Sequence, residues 1–125
     1  MLFDTDVLIW VLRGNAKAAR LVEEADRRMV SVLSHMELIQ GARNREELRL
    51  ISAFLTDLDF RTVPLSENIG HRALIYMEEH ALKVSLNLAD ALLAATAVEN
   101  GLLFCTGNQK HFRTIAELQL KPFAP

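Results

Sequence analysis

The sequence predicts an α/β fold in which helices cover both faces of a small, mainly parallel sheet. Short apolar runs that suit strands alternate along the chain with longer segments of helical spacing. The strand candidates are continuous apolar runs, which is typical of parallel strands buried on both faces. At 125 residues the chain should form a single domain, residues 1–125, with a core of ordinary size.

Four stretches have the composition of buried strands, and a fifth is ambiguous. The run 29–33 is β-branched and apolar. The segment 118–120 near the end could form a strand or a short helix. The expected strands are residues 1–3, 29–33, 60–64 and 102–106.

The helices are predicted from apolar spacing and from polar residues that can cap their first turns. Ser34 followed by Glu37 matches the capping-box pattern. Leu82 is expected on the buried face of its helix, and Asn87 or Ser85 should open the last one. The expected helices span 7–12, 15–28, 34–41, 43–57, 66–82 and 88–99, the last ending at Asn100-Gly101.

Composition excludes several classes of protein. One cysteine, Cys105, cannot form an internal disulfide or an all-cysteine zinc site, and its apolar surroundings indicate a buried, inert thiol. The net charge of −2 requires any nucleic-acid binding to depend on a local basic patch. No apolar stretch reaches the roughly 20 residues that span a membrane. Because Asp4 and Asp6 interrupt the apolar start, we expect no signal peptide and a cytoplasmic protein.

Polar residues follow the strands where a parallel sheet would gather them. Asp4 ends the first strand, Glu37 lies just beyond the second, Asp90 is in a first helical turn, and Asn108 follows strand 102–106. Ligands bind at the carboxyl edge of such sheets. A simpler reading exists for three acids, because Glu37 and Asp90 could be helix-start charges and Asp6 could be an N-cap.

Taken together, the acids indicate a metal site. Three carboxylates within about 4–6 Å would raise one another's pKa and would not stay ionised without a cation. Oxygen ligands without a thiol or histidine cluster suit Mg²⁺ or Mn²⁺. Such ions generate hydroxide from water and neutralise a phosphodiester, so the pattern favours a nuclease.

Four ordered motifs, LFDTDVLIW, SVLSHMELIQGA, LNLADALLAATAVENG and LFCTGNQKHF, together resemble the PIN-domain ribonucleases. The resemblance is strongest to the VapC toxins of toxin–antitoxin pairs, and it covers nearly the whole chain. It implies a three-layer α/β/α sandwich that cleaves RNA with Mg²⁺ or Mn²⁺. It assigns Asp4, Glu37 and Asp90 as catalytic residues and metal ligands. It further implies a homodimer and a VapB-like antitoxin that covers the acidic site.

The fourth motif departs from the usual pattern of that family. Asn108 stands where many members carry an acid, and an asparagine carbonyl contributes no charge. This weakens the expectation of a second tightly bound metal ion. Thr5, Asp6, Thr106 and Asn108 are expected to support the three acids.

RNA contact requires positive charge near the acids. Arg13, Arg43 and Lys110 are the expected contacts, although solvated surface charge is an equally simple reading of each. His111 is expected to be a surface residue. Other candidates of the same kind are Arg45, Arg113 and His35.

Two alternative functions remain open at this point. The first is a PIN-like binding module that is weakly active or inactive, which Asn108 favours. The second is a haloacid-dehalogenase-type phosphatase with Asp4 as nucleophile, because that family also opens with Asp-Thr-Asp after a strand. It requires later acids, and residues 106–109 contain none.

Overall fold

A parallel sheet forms the centre of the structure, a computed structural model that describes residues 1–83 and 86–125. Within those ranges the sheet has five strands in the order β3-β2-β1-β4-β5, and every neighbouring pair is parallel. The order confirms the predicted α/β class, and the ambiguous tail forms the fifth strand. The strands are β1 Leu2–Phe3, β2 Met29–Ser31, β3 Arg61–Val63, β4 Phe104–Thr106 and β5 Leu120–Pro122.

Helices pack on the two faces of this sheet, and each face has its own hydrophobic core. Side chains alternate across a strand, so Leu2 and Phe104 join one core while Phe3 and Cys105 join the other. The helices are α1 Thr5–Leu12, α2 Ala16–Glu24, α3 Val32–Gln40, α4 Arg45–Asp57, α5 Glu67–His80, α6 Leu88–Glu99 and α7 Gln109–Phe112. None of the described helices is both long and apolar enough to cross a membrane.

The prediction of fully apolar strands is correct only at the centre of the sheet. β1 and β4 are fully buried, whereas Arg61 and Thr62 of β3 and Lys121 and Pro122 of β5 are exposed. The reason is position, because β3 and β5 are the edge strands. Pro122 has no N–H to donate, which an edge strand tolerates.

Several predicted helix boundaries are wrong because a different polar side chain caps the first turn. α3 begins at Val32, and its N-cap is Ser31, whose hydroxyl accepts from the Leu33 N–H at 3.1 Å; Ser34 is therefore not the cap. α1 begins at Thr5 with Asp4 as N-cap, so Asp6 is not the cap either.

Other differences lie at helix ends. α2 ends at Glu24, four residues early, and the Arg28 guanidinium instead donates to backbone carbonyls, including that of Leu58. α5 ends before Leu82, whose side chain is fully exposed rather than buried. α6 is capped by Asn87, and the alternative cap Ser85 lies outside the described residues.

Candidate active site

Asp4 lies at the carboxyl end of the central strand and caps α1. Its side chain is 7% exposed. Oδ1 accepts from the Thr5 backbone N–H at 2.7 Å, and Oδ2 accepts from the Thr106 hydroxyl at 2.7 Å. Because β1 and β4 are parallel neighbours, both strands end at the same edge, which brings Thr106 to Asp4 although 102 residues separate them.

The environment of Asp4 disfavours a negative charge. Burial is the largest cause, and together with the neighbouring charge of Asp6 it raises the pKa of Asp4 to about 7. The hydrogen bonds from Thr106 and Thr5 act in the opposite direction, and Asp90 adds further repulsion. With this pKa, Asp4 is only partly ionised at neutral pH, and positive charge nearby would favour its ionised form.

Asp6 is half-buried in the first turn of α1 and faces the end of β4. Its Oδ2 accepts from the Gly107 backbone N–H at 3.0 Å, while Oδ1 is buried and has no hydrogen-bond partner in the described part of the chain. Burial raises the pKa of Asp6, and Asp90 contributes to the rise. The predicted supporting role agrees with this position, and the orphaned oxygen can accept a further ligand.

Glu37 is joined to the site through Thr5. The Thr5 Oγ1 lies 2.7 Å from Glu37 Oε1 and 2.8 Å from Ser34 Oγ. A hydroxyl has one proton and an ionised carboxylate only accepts, so Thr5 donates to Glu37 and accepts from Ser34. Because α3 begins at Val32, Glu37 is in its second turn and is not part of a capping box.

Asp90 is fixed in the first turn of α6 from two directions. It forms a true capping box with Asn87, in which the Asp90 N–H donates to Asn87 Oδ1 at 2.9 Å and the Asn87 N–H donates to Asp90 Oδ2 at 3.3 Å. The same Oδ2 lies 3.1 Å from His111 Nδ1. His111 is therefore part of the site, which corrects its assignment as a surface residue.

Asn108 lies at the mouth of the site. Its side chain is exposed, and its backbone N–H donates to the Thr106 hydroxyl at 3.0 Å. Thr106 thus accepts from Asn108 and donates to Asp4. This bond orients the Thr106 proton toward Asp4, and it uses the backbone rather than the amide of Asn108.

The structure brings the predicted acids to one edge of the sheet without completing a metal site. Asp90 lies near enough to raise the pKa of both Asp4 and Asp6. Thr5 links Glu37 to Asp4, because its hydroxyl donates to Glu37 and its backbone N–H donates to Asp4. Among residues 1–83 and 86–125, no three carboxylate, imidazole or thiol groups already have metal-binding geometry. The donors nevertheless fit a hard divalent cation, because they are oxygens and include the unpartnered Asp6 Oδ1.

The three predicted RNA-binding cations have different surroundings. Arg13 and Glu37 line one groove, of about 650 Å³. Arg43 lines the same groove, but it already pairs with Glu47, with Nη2 3.1 Å from Oε2. Lys110 is exposed and lines a separate cavity.

Sequence reasoning did not identify Ser34 and His111 as partners of the acids. Ser34 is fully buried, and its place before a predicted helix favours a cap, because nothing local indicates its hydrogen bond to Thr5. The His111–Asp90 contact joins residues 21 apart on different helices, so no local pattern reveals it.

Comparison with known proteins gives consistent matches. The family model described as PIN domain matches residues 1–118. Ribonuclease VapC10 of Mycobacterium tuberculosis is 36% identical over 131 residues, an alignment that covers 99% of this chain and 93% of the relative.

Two solved structures of similar fold are complexes. A toxin–antitoxin complex from Klebsiella pneumoniae contains a chain that is 27% identical, with a TM-score of 0.79 and coverage of 99% of this chain and 98% of that chain. A chain of DNA-bound VapBC from Salmonella typhimurium has a TM-score of 0.84 at 20% identity, and the match covers 98% of this chain and 97% of that chain. At this identity the match shows a shared fold.

Proposed function

Because the chain belongs to the PIN-domain family, we propose that it is a metal-dependent endoribonuclease and the toxin of a type II toxin–antitoxin pair. The observation that carries this proposal is the buried Asp4 carboxyl, which shares its edge of the sheet with Asp6 and Asp90. The similarity of the chain to a relative named as a ribonuclease supports RNA as the substrate. We take residues 1–125 as one nuclease domain, since β1 and the C-terminal β5 belong to one sheet.

Asp4, Glu37 and Asp90 would hold the metal ion, with Mg²⁺ or Mn²⁺ preferred by the oxygen donors. A divalent cation bound there would polarise the phosphodiester and lower the pKa of water toward neutrality. Binding requires the carboxylates to be ionised and rotated toward a common point. The metal would compensate the negative charge that burial disfavours at Asp4.

The chain's own residues orient the acids and receive the proton. In hydrolysis, the water oxygen forms a bond to phosphorus, the bond from phosphorus to the leaving ribose oxygen breaks, and that oxygen takes up a proton. Glu37 is partly exposed, and Thr5 holds its Oε1, so its other carboxylate oxygen would accept the proton that water loses. Thr106 and the Asn87 capping box restrict the movement of Asp4 and Asp90, which limits reorganisation to the rotation that metal binding requires.

The groove beside Glu37 fits a protein partner as well as RNA. Between α1, α3 and α4 it exposes apolar side chains, including Leu12 and Leu50, which are 39% and 56% exposed, next to the charged Arg13. An antitoxin segment with an apolar face could bind there and cover Glu37. The named toxin–antitoxin complexes among the structural neighbours support such a partner.

We further propose a cytoplasmic homodimer. α5 exposes Leu74 and Ile75, which are 61% and 49% exposed and would suit a contact between two copies. Sedimentation of the isolated chain tests the homodimer. A monomer at all concentrations would contradict it.

The proposal is tested by RNA cleavage. The purified chain should cleave RNA with Mg²⁺ or Mn²⁺ and stop when EDTA is added. Asp4→Asn and Asp90→Asn should each lose activity, while Glu24→Gln, which removes an exposed acid at the end of α2, should retain it. Unchanged cleavage by an Asp4→Asn/Asp90→Asn double variant would contradict the assignment.

The two alternative functions, a phosphatase and an inactive binding module, are separated by different observations. Membership of the PIN-domain family leaves the phosphatase interpretation without support. An inactive binding module would fold in the same way but would show no metal-dependent cleavage, so the same assay separates it from the proposed nuclease.

A further inference from the structure

A second cavity, separate from the groove that Glu37 lines, adjoins the acids. It has a volume of about 400 Å³ and is lined by the turn after β4 and by α7. Its lining residues are Gly107, Asn108, Gln109, Lys110, His111 and Arg113. We call this cavity the basic cleft.

The basic cleft brings two cations together in a chain whose net charge is −2. Lys110 and Arg113 line it beside His111, and none of the described lining residues is acidic. Lys110 and Arg113 have no acidic partner within residues 1–83 and 86–125, and both are exposed. Such cations remain available to an anion.

Two other arginines of the described chain, Arg43 and Arg72, are already paired with carboxylates. Arg72 donates to Glu99 and to Glu117, the latter at 2.7 Å, and Arg43 pairs with Glu47. A cation in such a pair must give up its partner before it can bind phosphate. Lys110 and Arg113 carry no such cost.

The wall of the basic cleft is also the wall of the acidic site. The Gly107 N–H donates to Asp6 Oδ2, and the Asn108 N–H donates to the Thr106 hydroxyl that binds Asp4. His111 contacts the cleft and, through Nδ1, Asp90. Since the ionised Asp90 carboxylate only accepts, Nδ1 carries the proton and donates to it.

We propose that the basic cleft binds a backbone phosphate of the RNA strand next to the phosphate that is cleaved, through Lys110 and Arg113. The inference rests on the proposed ribonuclease function and adds the position of the substrate strand. His111 is a positioning residue here, because its bond to Asp90 joins the cleft to the metal-binding edge. Contacts of this kind fix the register of the strand without reading its sequence.

The test measures RNA binding with cleavage disabled. Fluorescein-labelled oligouridine is titrated with the full chain carrying Asp4→Asn, and anisotropy is recorded at several salt concentrations. Adding Lys110→Gln and Arg113→Gln should weaken binding and reduce the slope of log K against log salt by about 0.7, the contribution of the one single-strand phosphate that the two cations neutralise. Adding Lys17→Gln and Arg20→Gln, which remove the same charge from exposed positions on α2, should leave the slope nearly unchanged.

A second readout separates the basic cleft from the metal site. Calorimetric titration with Mn²⁺ of the chain carrying only Lys110→Gln and Arg113→Gln should match wild type. An unchanged salt slope, or an equal loss in the α2 control, would overturn the proposal while wild-type cleavage of RNA still stood. Absence of metal-dependent cleavage by wild type would instead overturn the proposed function.

Discussion

Gly107 lies against the Asp6 carboxylate at the end of β4. A Cβ at this position would lie 2.6 Å from Asp6 Oδ2, closer than van der Waals contact allows. The requirement for glycine here is therefore close approach rather than backbone conformation. Asp6 would have to rotate and lose its bond from the Gly107 N–H.

Gly107→Ala should accordingly destabilise the protein by about 1–3 kcal/mol, measured by urea unfolding. Asp6→Ala in the same chain should relieve most of that loss, because the colliding oxygen is gone. Gly70→Ala is the control, since nothing lies within 4 Å of its added Cβ in helix α5, and it should be neutral or stabilising. Equal losses for Gly107→Ala with and without Asp6 would contradict the close approach.

Asp4 should make the stability of the metal-free protein depend on pH. Its pKa is about 7 in the folded chain against an ordinary 3.8. Between these values the folded chain holds a proton that the unfolded chain has lost, so the free energy of unfolding falls as pH rises from about 4 to 7. Above pH 7 this contribution is level.

Urea unfolding in EDTA should therefore show a loss on the order of a few kcal/mol between pH 5 and 8, less steep in Asp4→Asn. Asp57→Asn, an exposed acid at the end of α4, should retain the wild-type profile. Identical slopes for wild type and Asp4→Asn would show that the burial of Asp4 does not oppose its ionisation.

At the scale of elements, Asn15, Asn44 and Asn87 each cap a helix through the side-chain oxygen, and Asn87 is the one of these three that bonds a predicted metal ligand. Asn87 Oδ1 accepts from the Asp90 N–H, and Asn44 Oδ1 accepts from the Glu47 N–H, both at 2.9 Å. The cap of α6 therefore also holds a predicted metal ligand. The cap of α4 holds Glu47, which is not one.

Asn87→Ala and Asn44→Ala should each lower the free energy of unfolding by about 1 kcal/mol. Only Asn87→Ala should also weaken Mn²⁺ binding, because Asp90 then loses part of its orientation. Calorimetry and urea unfolding of both variants give the comparison. Equal metal affinity in the two would indicate that the capping box does not position Asp90.

How far the elements could be predicted depends on how local their causes are. Ser66 and Asn100-Gly101 delimit helices through neighbouring backbone groups, and both were predicted correctly. Ser31 and Ser34 could each cap α3 by local criteria, and the choice depends on where the buried strand ends. The bond of Ser34 to Thr5 spans 29 residues and has no local signature.

For the whole molecule, the parallel sheet and its acidic edge were predictable because apolar strands repeat in order along the chain. The order of the strands in the sheet was not predictable from the sequence. β1 lies between β2 and β4, and this arrangement depends on packing in the two cores rather than on any local pattern. The arrangement of carboxylates relative to one another is likewise tertiary. Asp4, Glu37 and Asp90 as metal ligands stay a prediction from motif and position.

The reactivity of Cys105 measures whether β4 and the core around it stay folded. The residue is fully buried, and burial raises the pKa of its thiol to about 12. Disulfide-exchange labelling at pH 8 should be negligible in the native protein and rapid in concentrated urea, since the thiolate is the reactive form. Because it is the chain's single cysteine, its labelling rate should follow global unfolding. Rapid labelling without urea would contradict a closed core on this face.

The central claim, a metal site at Asp4 and Asp90, is tested most directly by calorimetric titration with Mn²⁺ at pH 8. Wild type should bind saturably, Asp4→Asn and Asp90→Asn should each bind at least about tenfold more weakly, and Asn108→Ala, which keeps the backbone bond to Thr106, should bind nearly as wild type does. No binding by wild type, or equal binding by the Asp4→Asn/Asp90→Asn double variant, would contradict the claim.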